Sequence, residues 1–353
     1  MLFRSPGSIG SNEVEFAYRL EIAQKLPFCG KRGLKGQAAL AEAAAAGNEV
    51  DDMRLQLIES TKSSFYEYYL VARASAVNEE NLRLLREFRD EAKTRYEKAL
   101  VPEQDVVQAD VELGRQQERK LTLERMRKVA VARINTLMHL PPATPLPPPP
   151  ERLTLGEALP TADVLLARAL SDRPDLQALA NRVAAEEAAL ELAQKEFYPD
   201  FELMASYDAF WQEKPLRTML GVRLNLPVQR DRRRAAVAEA QARIAERRAQ
   251  LDSRTDQVSL QLQEAYEQVV ESDQVVRLYE KSILPDARKN VEAARSAYEA
   301  KLAPFLTLIE AQRSRVALLD RYHEVLADYY RRKATLERVV GGALTSTATS
   351  TPK

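Results

Sequence analysis

The sequence predicts a mainly α-helical protein with a small β part, built from two copies of one strand–long helix–tip–helix unit. Three observations predict this fold. Long stretches are rich in Ala, Glu, Arg, Leu and Gln, and glycine is scarce, with 11 in 353 residues; this composition favours long helices. Three short segments alternate apolar and polar side chains, as β-strands do. Similar segments recur about 200 positions apart, which indicates an internal repeat.

Alternation of apolar and polar side chains predicts three strands. Residues 14–26 form the first, and residues 201–211 and 217–228 form a hairpin of two strands of about ten residues each. In each strand the apolar side chains share one face and the charged side chains share the other. The charged face carries Glu15, Arg19, Glu21, Lys25, Glu202, Asp208, Arg217 and Arg223.

The helices of the first half are separated by proline. Residues 31–98 contain no proline and predict one helix about 100 Å long, at about 1.5 Å per residue. A second helix is predicted at 103–139. It ends at "PPATPLPPPP", which cannot be helical and predicts an extended connector.

The second half repeats this alternation of helix and proline. A short helix is predicted at 161–170. Another begins within "SDRPDLQALANRV", with Ser171 or Asp172 as its cap and Pro174 near its first turn, and runs to about residue 197, ahead of the hairpin. A long helix over 231–300 must be kinked or interrupted at Pro285, whose ring clashes with the preceding turn. In the last helix, 305–340, apolar residues recur at steps of three and four, which is typical of a coiled-coil seam.

The two halves match at a nearly constant offset. Leu26-Pro27 corresponds to Leu226-Pro227, an offset of 200, and a basic stretch follows each pair, "GKRGLKG" and "QRDRRR". Further along, "YEKALVPEQDVVQAD" aligns with "YEAKLAPFLTLIEAQ" at an offset of 202. We therefore predict a first repeat at 1–140, a proline-rich linker at 141–160, a second repeat at 161–341 and a disordered tail at 342–353.

The composition argues against several classes of function. Lys plus Arg and Asp plus Glu each number 52, whereas a nucleic-acid-binding protein usually has a basic excess. The one cysteine, Cys29, and the two histidines, His139 and His323, offer little for a metal site or for acid–base chemistry. The sequence shows no nucleophile–base pair and no phosphate loop. We expect no enzyme activity, no cofactor and no bound metal.

The repeat has a definite geometry. Each long helix leaves a strand, turns at a tip with the pattern Leu-x-Pro and returns. Alternating strands of about ten residues suit a bilayer-spanning barrel, so we expect the strands to be the membrane part and the helices a conduit joined to it. The charged strand face would then line a water-filled lumen.

Several segments resemble the TolC-like outer membrane efflux protein family. The most specific are "LLARALSDRPDLQALANRVAAEEAALELAQKEFYPDFELMASY", "VRLNLPVQRDRRRAAVAEAQARI" and "YEAKLAPFLTLIEAQRSRVALLDRYHEVLADYYRRKATLERVVGG". The turn "QKLPFCGKRGL" resembles the heavy-metal efflux branch, where Pro-Phe-Pro-Gly-Lys is usual. The resemblance implies an α-barrel/β-barrel homotrimer in the lipid of the bacterial outer membrane. It also implies a periplasmic helical tunnel that docks on a periplasmic adaptor and on an inner-membrane pump of the RND type.

The resemblance also implies two functional sites. The helix tips would meet the adaptor; they comprise Ala99, Leu100, Val101 and Pro102 in the first repeat and Lys301, Leu302, Ala303 and Pro304 in the second. A periplasmic gate that favours cations would lie just beyond the tips, at Asp105, Thr307 and Glu310. The alternative for these residues is an ordinary inter-helix turn and solvated charges on a coiled-coil flank.

The sequence departs from the family pattern in two places. The family has a signal sequence, helices and a further strand ahead of the strand at 14–26, so we expect this chain to be N-terminally truncated. Three strands per subunit would leave unpaired edges, which lipid does not tolerate. The family also usually has glycine where Ala99 and Lys301 stand, and Pro102 and Pro304 offer another route to the turn.

The sequence therefore predicts a passive outer-membrane export channel for metal ions or small toxic compounds. Two alternatives remain, a soluble coiled-coil scaffold and a periplasmic adaptor. An adaptor would carry a lipoyl-like β-domain between two helices, and no such segment is evident. A scaffold would not need alternating strands at matched positions of the two repeats.

Overall fold

The computed structural model describes residues 18–156, 159–208 and 217–344. It is mostly helical with a small sheet, so the predicted fold class is confirmed. In the described part of the chain, no helix is both long and apolar enough to cross a membrane. In chain order the elements are β1 (Arg19–Leu26), α1 (Lys31–Glu97), α2 (Glu103–Leu137), α3 (Ala162–Asp172), α4 (Pro174–Lys195), β2 (Asp200–Asp208), β3 (Thr218–Asn225), α5 (Arg230–Leu278), a π-helical turn (Tyr279–Ile283), α6 (Leu284–Glu299) and α7 (Phe305–Val340).

The sheet has three antiparallel strands in the order β1-β2-β3. Arg19 pairs with Asp208, Lys25 with Glu202, and Glu202 in turn with Arg223. Because directly paired residues lie on the same face of a sheet, this register segregates charged from apolar side chains as predicted. Within the described residues β1 begins at Arg19 and β3 ends at Asn225, three residues before the predicted end. Residues 14–17 and 209–211 of the predicted strands lie outside the described residues.

Pro285 interrupts the long helix of the second repeat by widening it. Five residues before α6, Tyr279–Ile283, form a π-helical turn, in which the Leu284 N–H donates to the Tyr279 carbonyl. Proline cannot donate a backbone hydrogen bond, and its ring crowds the carbonyl four residues earlier. The wider turn accommodates that carbonyl, so the helix continues as α6 beyond the proline.

The chain divides into two compact units. The first, Met1–Val50 with Pro174–Thr255, contains the sheet; the second, Asp51–Arg173 with Asp256–Lys353, contains α2, α3, α6 and α7.

In the second unit α7 is the most buried helix. Its predicted seam is largely in the core, because Phe305, Ile309 and Leu326 are each 1% exposed. Further along the seam, burial lowers the pKa of His323 to about 4, and the positive charge of Arg73 adds to the effect.

The proline-rich connector is extended but fixed by side chains of the second unit. The Tyr68 hydroxyl donates to the Pro147 carbonyl at 3.2 Å. Arg73 Nη1 donates to the Glu151 carbonyl at 3.0 Å, and the Tyr330 hydroxyl donates to the Thr154 carbonyl. These hydrogen bonds satisfy backbone acceptors that proline-rich segments cannot pair among themselves.

The first residues of the predicted tail are packed against the folded chain. Arg168 Nη1 donates to the Ala343 carbonyl at 2.9 Å, and Leu344 is buried. The remainder of the predicted tail, residues 345–353, lies outside the described residues.

Four helices end in the same left-handed turn. At the end of α1, the Ala99 N–H donates to the Tyr96 carbonyl and the Leu100 N–H to the Arg95 carbonyl. At the end of α6, Lys301 and Leu302 donate in the same way to Tyr298 and Ala297. This pair of bonds defines the Schellman motif. The same pattern ends α2 at His139 and α7 at Gly341, and both pairs of turns are 202 residues apart, as the repeat predicts.

Three of these four turns place a side chain in a backbone region that favours glycine. Ala99 and His139 both have φ of 55°, and Lys301 has φ of 63°. The expectation that Pro102 and Pro304 would provide another route to the turn is therefore wrong, because the residues in the usual glycine positions keep the left-handed conformation. The prolines instead precede the first residues of α2 and α7, in extended conformation.

At the fourth turn a side chain would also meet a closely packed backbone. Gly341 has φ of 90°, and a Cβ there would lie 3.3 Å from the backbone of Arg173 and Asp172. Arg173 is itself buried, and its guanidinium donates to the Val339 carbonyl at 3.1 Å. A side chain at position 341 would therefore need the left-handed conformation and also a small shift of the neighbouring backbone.

We predict that Lys301→Gly stabilises the folded protein by about 1 kcal/mol, because a left-handed residue with a Cβ costs about that much more than glycine. Ala300→Gly is the matched control. Ala300 precedes Lys301 in a right-handed conformation, with φ of −79°, so glycine should give no gain there. Denaturant unfolding of both variants measures the effect, and a Lys301→Gly variant no more stable than the control would contradict it.

Candidate functional site

The two predicted tips share one apolar core in the second unit. It contains side chains from α1, α2, α6 and α7, and so from both repeats. The buried members are Leu85, Phe88, Ala92, Ala109, Ala294, Tyr298, Phe305, Leu308, Ile309 and Ala311. Val101, from the first tip, packs against this core and is partly buried. Movement of either tip must therefore disturb the packing of the other, because protein cores are close-packed.

A hydrogen bond joins the tips of the two repeats. The Tyr298 hydroxyl, at the end of α6, lies 3.3 Å from Asp105 Oδ2, in the first turn of α2. The Tyr298 ring also packs against Phe305, with ring centroids 5.2 Å apart. Asp105, one of the predicted gate residues, thus faces the opposite repeat.

Arg95 strengthens the same junction. Its guanidinium lies 4.8 Å from the centroid of the Tyr298 ring, and its Nη1 donates to the Tyr298 carbonyl at 3.2 Å. A cation over an aromatic face is attracted by the ring quadrupole. Glu91 forms an ion pair with Arg95 at 3.2 Å and lies 3.7 Å from Arg295. The helices of both repeats are therefore joined by charge as well as by apolar contact.

Burial shifts the pKa of both partners in the hydrogen bond that joins the tips. It raises the pKa of Tyr298 to about 12, with the charge of Asp105 adding to the effect. Burial also raises the pKa of Asp105, and the hydrogen bond from Tyr298 opposes this rise. At neutral pH the tyrosine hydroxyl is therefore protonated and able to donate.

The tip residues themselves are mostly exposed. Leu302 is 83% exposed and Leu100 is 47% exposed, although leucine is a residue that folding normally buries. Ala99, Pro102, Lys301 and Pro304 are exposed, and Ala303 is partly buried. Each tip thus presents one leucine to its surroundings on the same backbone turn.

The other two predicted gate residues lie on α7. Thr307 and Glu310 are both exposed and three residues apart, so they share one face of the helix. The charge of Glu310 is near enough to contribute to raising the pKa of Arg313. In the described part of the chain no hydrogen bond or ion pair joins Glu310 to Asp105.

The predicted lumen residues lie together on one face of the sheet. Arg223 Nη1 donates to Glu202 Oε2 at 2.8 Å, and Arg19 lies 3.5 Å from Glu21. By the strand register Lys25 and Asp208 belong to this face as well. Arg217 directly precedes β3, where its carbonyl accepts from the Asp208 N–H at 2.8 Å. Glu15 lies outside the described residues.

The opposite face of the sheet is apolar and exposed. Leu220 is 84% exposed, Ile22 78% and Val222 68%. A contiguous apolar surface of this kind is costly in water. Among the described residues, no group of three or more His, Cys, Asp or Glu side chains is arranged to hold a metal ion.

Sequence reasoning missed the residues that connect the tips. Tyr298 lies three positions before Lys301, inside "YEAKLAP", and Tyr96 holds the equivalent place in "YEKALVP". The repetition of this tyrosine was a signal in the sequence. Of the two, Tyr298 is buried and its hydroxyl is hydrogen-bonded to Asp105, whereas Tyr96 is exposed. The roles of Arg95 and Glu91 depend on helix rotation, which the sequence alone does not fix.

The fold is shared with solved outer-membrane proteins. The structure of VceC from Vibrio cholerae matches with a TM-score of 0.80 at 20% identity, over 98% of this chain and 86% of that chain. CusC matches with a TM-score of 0.81 at 15% identity, over 97% and 81%. The open state of the MtrE channel from Neisseria gonorrhoeae matches with a TM-score of 0.77 at 18% identity, over 99% and 82%. No curated protein matches the sequence.

A family model gives the stronger result. Residues 165–342, just over half of the chain, match the model described as outer membrane efflux protein. This match confirms the predicted TolC-like family and the prediction of a non-enzymatic transport protein. It also favours a channel over the alternatives of a scaffold or an adaptor. The protein belongs to the outer membrane efflux protein family.

Proposed function

We propose that this protein is the outer-membrane subunit of a tripartite efflux system and works as a homotrimer. It would carry metal ions or small toxic compounds from the periplasm to the exterior, as a passive conduit. A periplasmic adaptor and an inner-membrane pump of the RND type would complete the assembly. The observation that carries the proposal is the pair of repeat-related tips, each exposing a leucine and joined to the other through Tyr298 and Asp105.

The two faces of the sheet support the membrane part of this proposal. A strand in a membrane barrel needs an apolar face toward lipid and tolerates a polar face toward a water-filled lumen. The sheet has both, with Leu220 and Ile22 on the apolar face and Glu202 and Arg223 on the polar face. Positive and negative side chains are mixed on the polar face, so this part of the lumen would have little charge selectivity.

The exposed leucines support docking at the tips. Burial of a leucine side chain in an interface contributes about 1.5–3 kcal/mol, and a partner that covers both tips would gain this twice per subunit. The rigid Schellman turns hold both leucines in defined positions, so little conformational entropy is lost on binding.

The junction between the tips supports a gate that opens by separation of the helices. Opening would break the hydrogen bond from Tyr298 to Asp105 and separate Arg95 from the tyrosine ring. These interactions favour the closed arrangement, and an adaptor bound to the tips could supply the free energy that opposes them. Glu310, exposed on α7, would attract cations to the narrow end of the conduit.

We predict that Tyr298→Phe increases the open population of the channel. The variant keeps the ring against Phe305 but loses the hydrogen bond, worth about 1 kcal/mol per subunit, or about a fivefold shift per subunit in a two-state equilibrium. Single-channel recording in a planar bilayer measures it. Tyr96→Phe is the control, since Tyr96 is the repeat-related tyrosine and its side chain is exposed. Equal open populations in the two variants would contradict this gate.

We predict that Glu310→Gln reduces the cation preference of the conductance, because it removes one carboxylate per subunit from the entrance. The reversal potential under a potassium chloride gradient should move toward zero. Glu118→Gln makes the same change of charge at an exposed position of α2 and should leave the reversal potential unchanged. An unaltered value in Glu310→Gln would remove this residue from the gate.

We predict that Leu302→Asp weakens capture of the adaptor about tenfold or more, since it replaces an apolar contact by a buried charge. Site-specific crosslinking between the tip and a co-expressed adaptor measures this. Leu260→Asp is the control, because Leu260 is exposed on α5 and lies outside the proposed tip surface. If both variants crosslink as well as the wild type, the tips are not the docking site.

A further inference from the structure

Two basic stretches follow two strands of the sheet. Residues 30–36 follow β1, and residues 229–234 follow β3. Leu26 pairs with Phe201, and Phe201 pairs with Leu224, so β1 and β3 end at the same end of the sheet. The two stretches therefore begin at that common end.

Both stretches are held against the segment that leads from α4 into β2. In the first stretch, Lys31 is buried, and its ammonium lies 2.9 Å from Asp200 Oδ1 and 3.1 Å from the Tyr198 carbonyl. In the second stretch, Arg233 Nε donates to the Glu196 carbonyl at 2.6 Å. One cation of each stretch is thus used to fix its position.

The remaining cations of the two stretches are exposed. We call them the basic patch; they are Arg32, Lys35, Arg230, Arg232 and Arg234. The two stretches contain one carboxylate, Asp231, which lies 3.7 Å from Arg234 and is itself 99% exposed. Among the described residues, the other four members of the patch have no ion pair within 4.0 Å. The patch therefore has a positive charge that the fold does not neutralise.

Local electrostatics does not favour cations at these positions. Arg32, Arg230 and Arg232 lie in the first turns of α1 and α5, and Lys35 and Arg234 directly follow those turns. The helix dipole is positive at a first turn, and carboxylates are preferred there. The first turn of α1 contains no acidic residue. Charges placed against a local preference are typical of surfaces that serve a function outside the folded chain.

An exposed apolar surface adjoins the patch. Leu226 is 60% exposed and Val228 is 82% exposed, and they connect the apolar face of the sheet to the arginines that follow. Apolar side chains that give way to cations within a few residues match the border of a bilayer, where acyl chains give way to phosphates. A soluble anionic partner would not explain the exposed valine and leucine.

We propose that the basic patch binds the phosphate groups of anionic phospholipids at the surface where the strands leave the membrane. The inference rests on the proposed function, which places the sheet in the bilayer. The patch would fix the depth of the barrel in the membrane and make retention of the protein depend on anionic lipid.

The test uses the purified protein in a nonionic detergent. Dioctanoyl phosphatidylglycerol is the anionic probe and dioctanoyl phosphatidylcholine the zwitterionic one, and binding is followed by thermophoresis at low and high salt. The wild type should bind the anionic lipid about tenfold more tightly at low salt, and the preference should fall as salt rises. The test variant is Arg230→Gln/Arg232→Gln/Arg234→Gln, which leaves Arg233 in place because it holds α5.

A matched control removes three exposed cations elsewhere. Arg125→Gln/Lys128→Gln/Arg133→Gln changes the net charge equally on α2 and should keep the lipid preference. Arg32→Gln/Lys35→Gln tests the other stretch, should the triple variant fail to fold. The proposal is supported if patch variants lose the preference and the control keeps it.

Three results would overturn the proposal. They are an unchanged preference in the patch variants, an equal loss in the α2 control, and complete displacement of the lipid by millimolar inorganic phosphate, which would indicate a general anion site. Conductance in a phosphatidylcholine bilayer tests the proposed function separately. A protein that conducts without any lipid preference would refute the patch alone, and one that keeps the preference without conducting would refute the channel proposal.

Discussion

The packing of two helix tips on one apolar core is the constraint on which the rest of the structure depends. Neither repeat can bury its own tip, since the core needs Leu85 and Phe88 from the first repeat and Phe305 and Ile309 from the second. The hydrogen bond from Tyr298 to Asp105 and the position of Arg95 over the tyrosine ring follow from that packing. In the proposed gate these contacts would together hold the closed arrangement, because each is small and all lie at one junction.

The left-handed turns at the tips have a conformational free-energy cost that other interactions at the junction offset. Ala99 and Lys301 adopt positive φ, which costs a residue with a Cβ about 1–2 kcal/mol. Two backbone hydrogen bonds per turn and the core beneath both tips outweigh that cost. At Gly341 a Cβ would also lie 3.3 Å from the backbone of Arg173 and Asp172, so a side chain there would need that backbone to shift. Residues with a side chain thus adopt the left-handed conformation where the turn is open to solvent, and glycine stands where the turn is packed.

The sheet and the tips lie in different compact units, and the two units differ in their charged and apolar surfaces. The unit that holds the sheet combines an exposed apolar face, a charged face and an unneutralised basic patch, all of which suit a membrane and its border. The unit that holds the tips combines a dense core with two exposed leucines, which suits a protein partner. No described residue set suggests bond-making chemistry, and the family consists of conduits, so the functional residues act by position and charge.

The sequence by itself determined the elements of this protein and their repetition. Proline and helix formers set the bounds of α1 and α7, and strict alternation set the two faces of the sheet, because both signals are local. Only the tertiary structure decided that Ala99 and Lys301 keep the glycine conformation, that Pro285 is accommodated by a π-helical turn, and that Tyr298 rather than Tyr96 joins the repeats. The junction at Tyr298 depends on contacts between residues far apart in the chain, and such contacts have no local signature. The left-handed turns and the π-helical turn are closed by local hydrogen bonds, but the residues at these positions are compatible with more than one way of ending or bending a helix. The candidate gate illustrates the difference, since the resemblance to the family pointed to Asp105, whereas its partner, 193 residues away, became evident only from the packing.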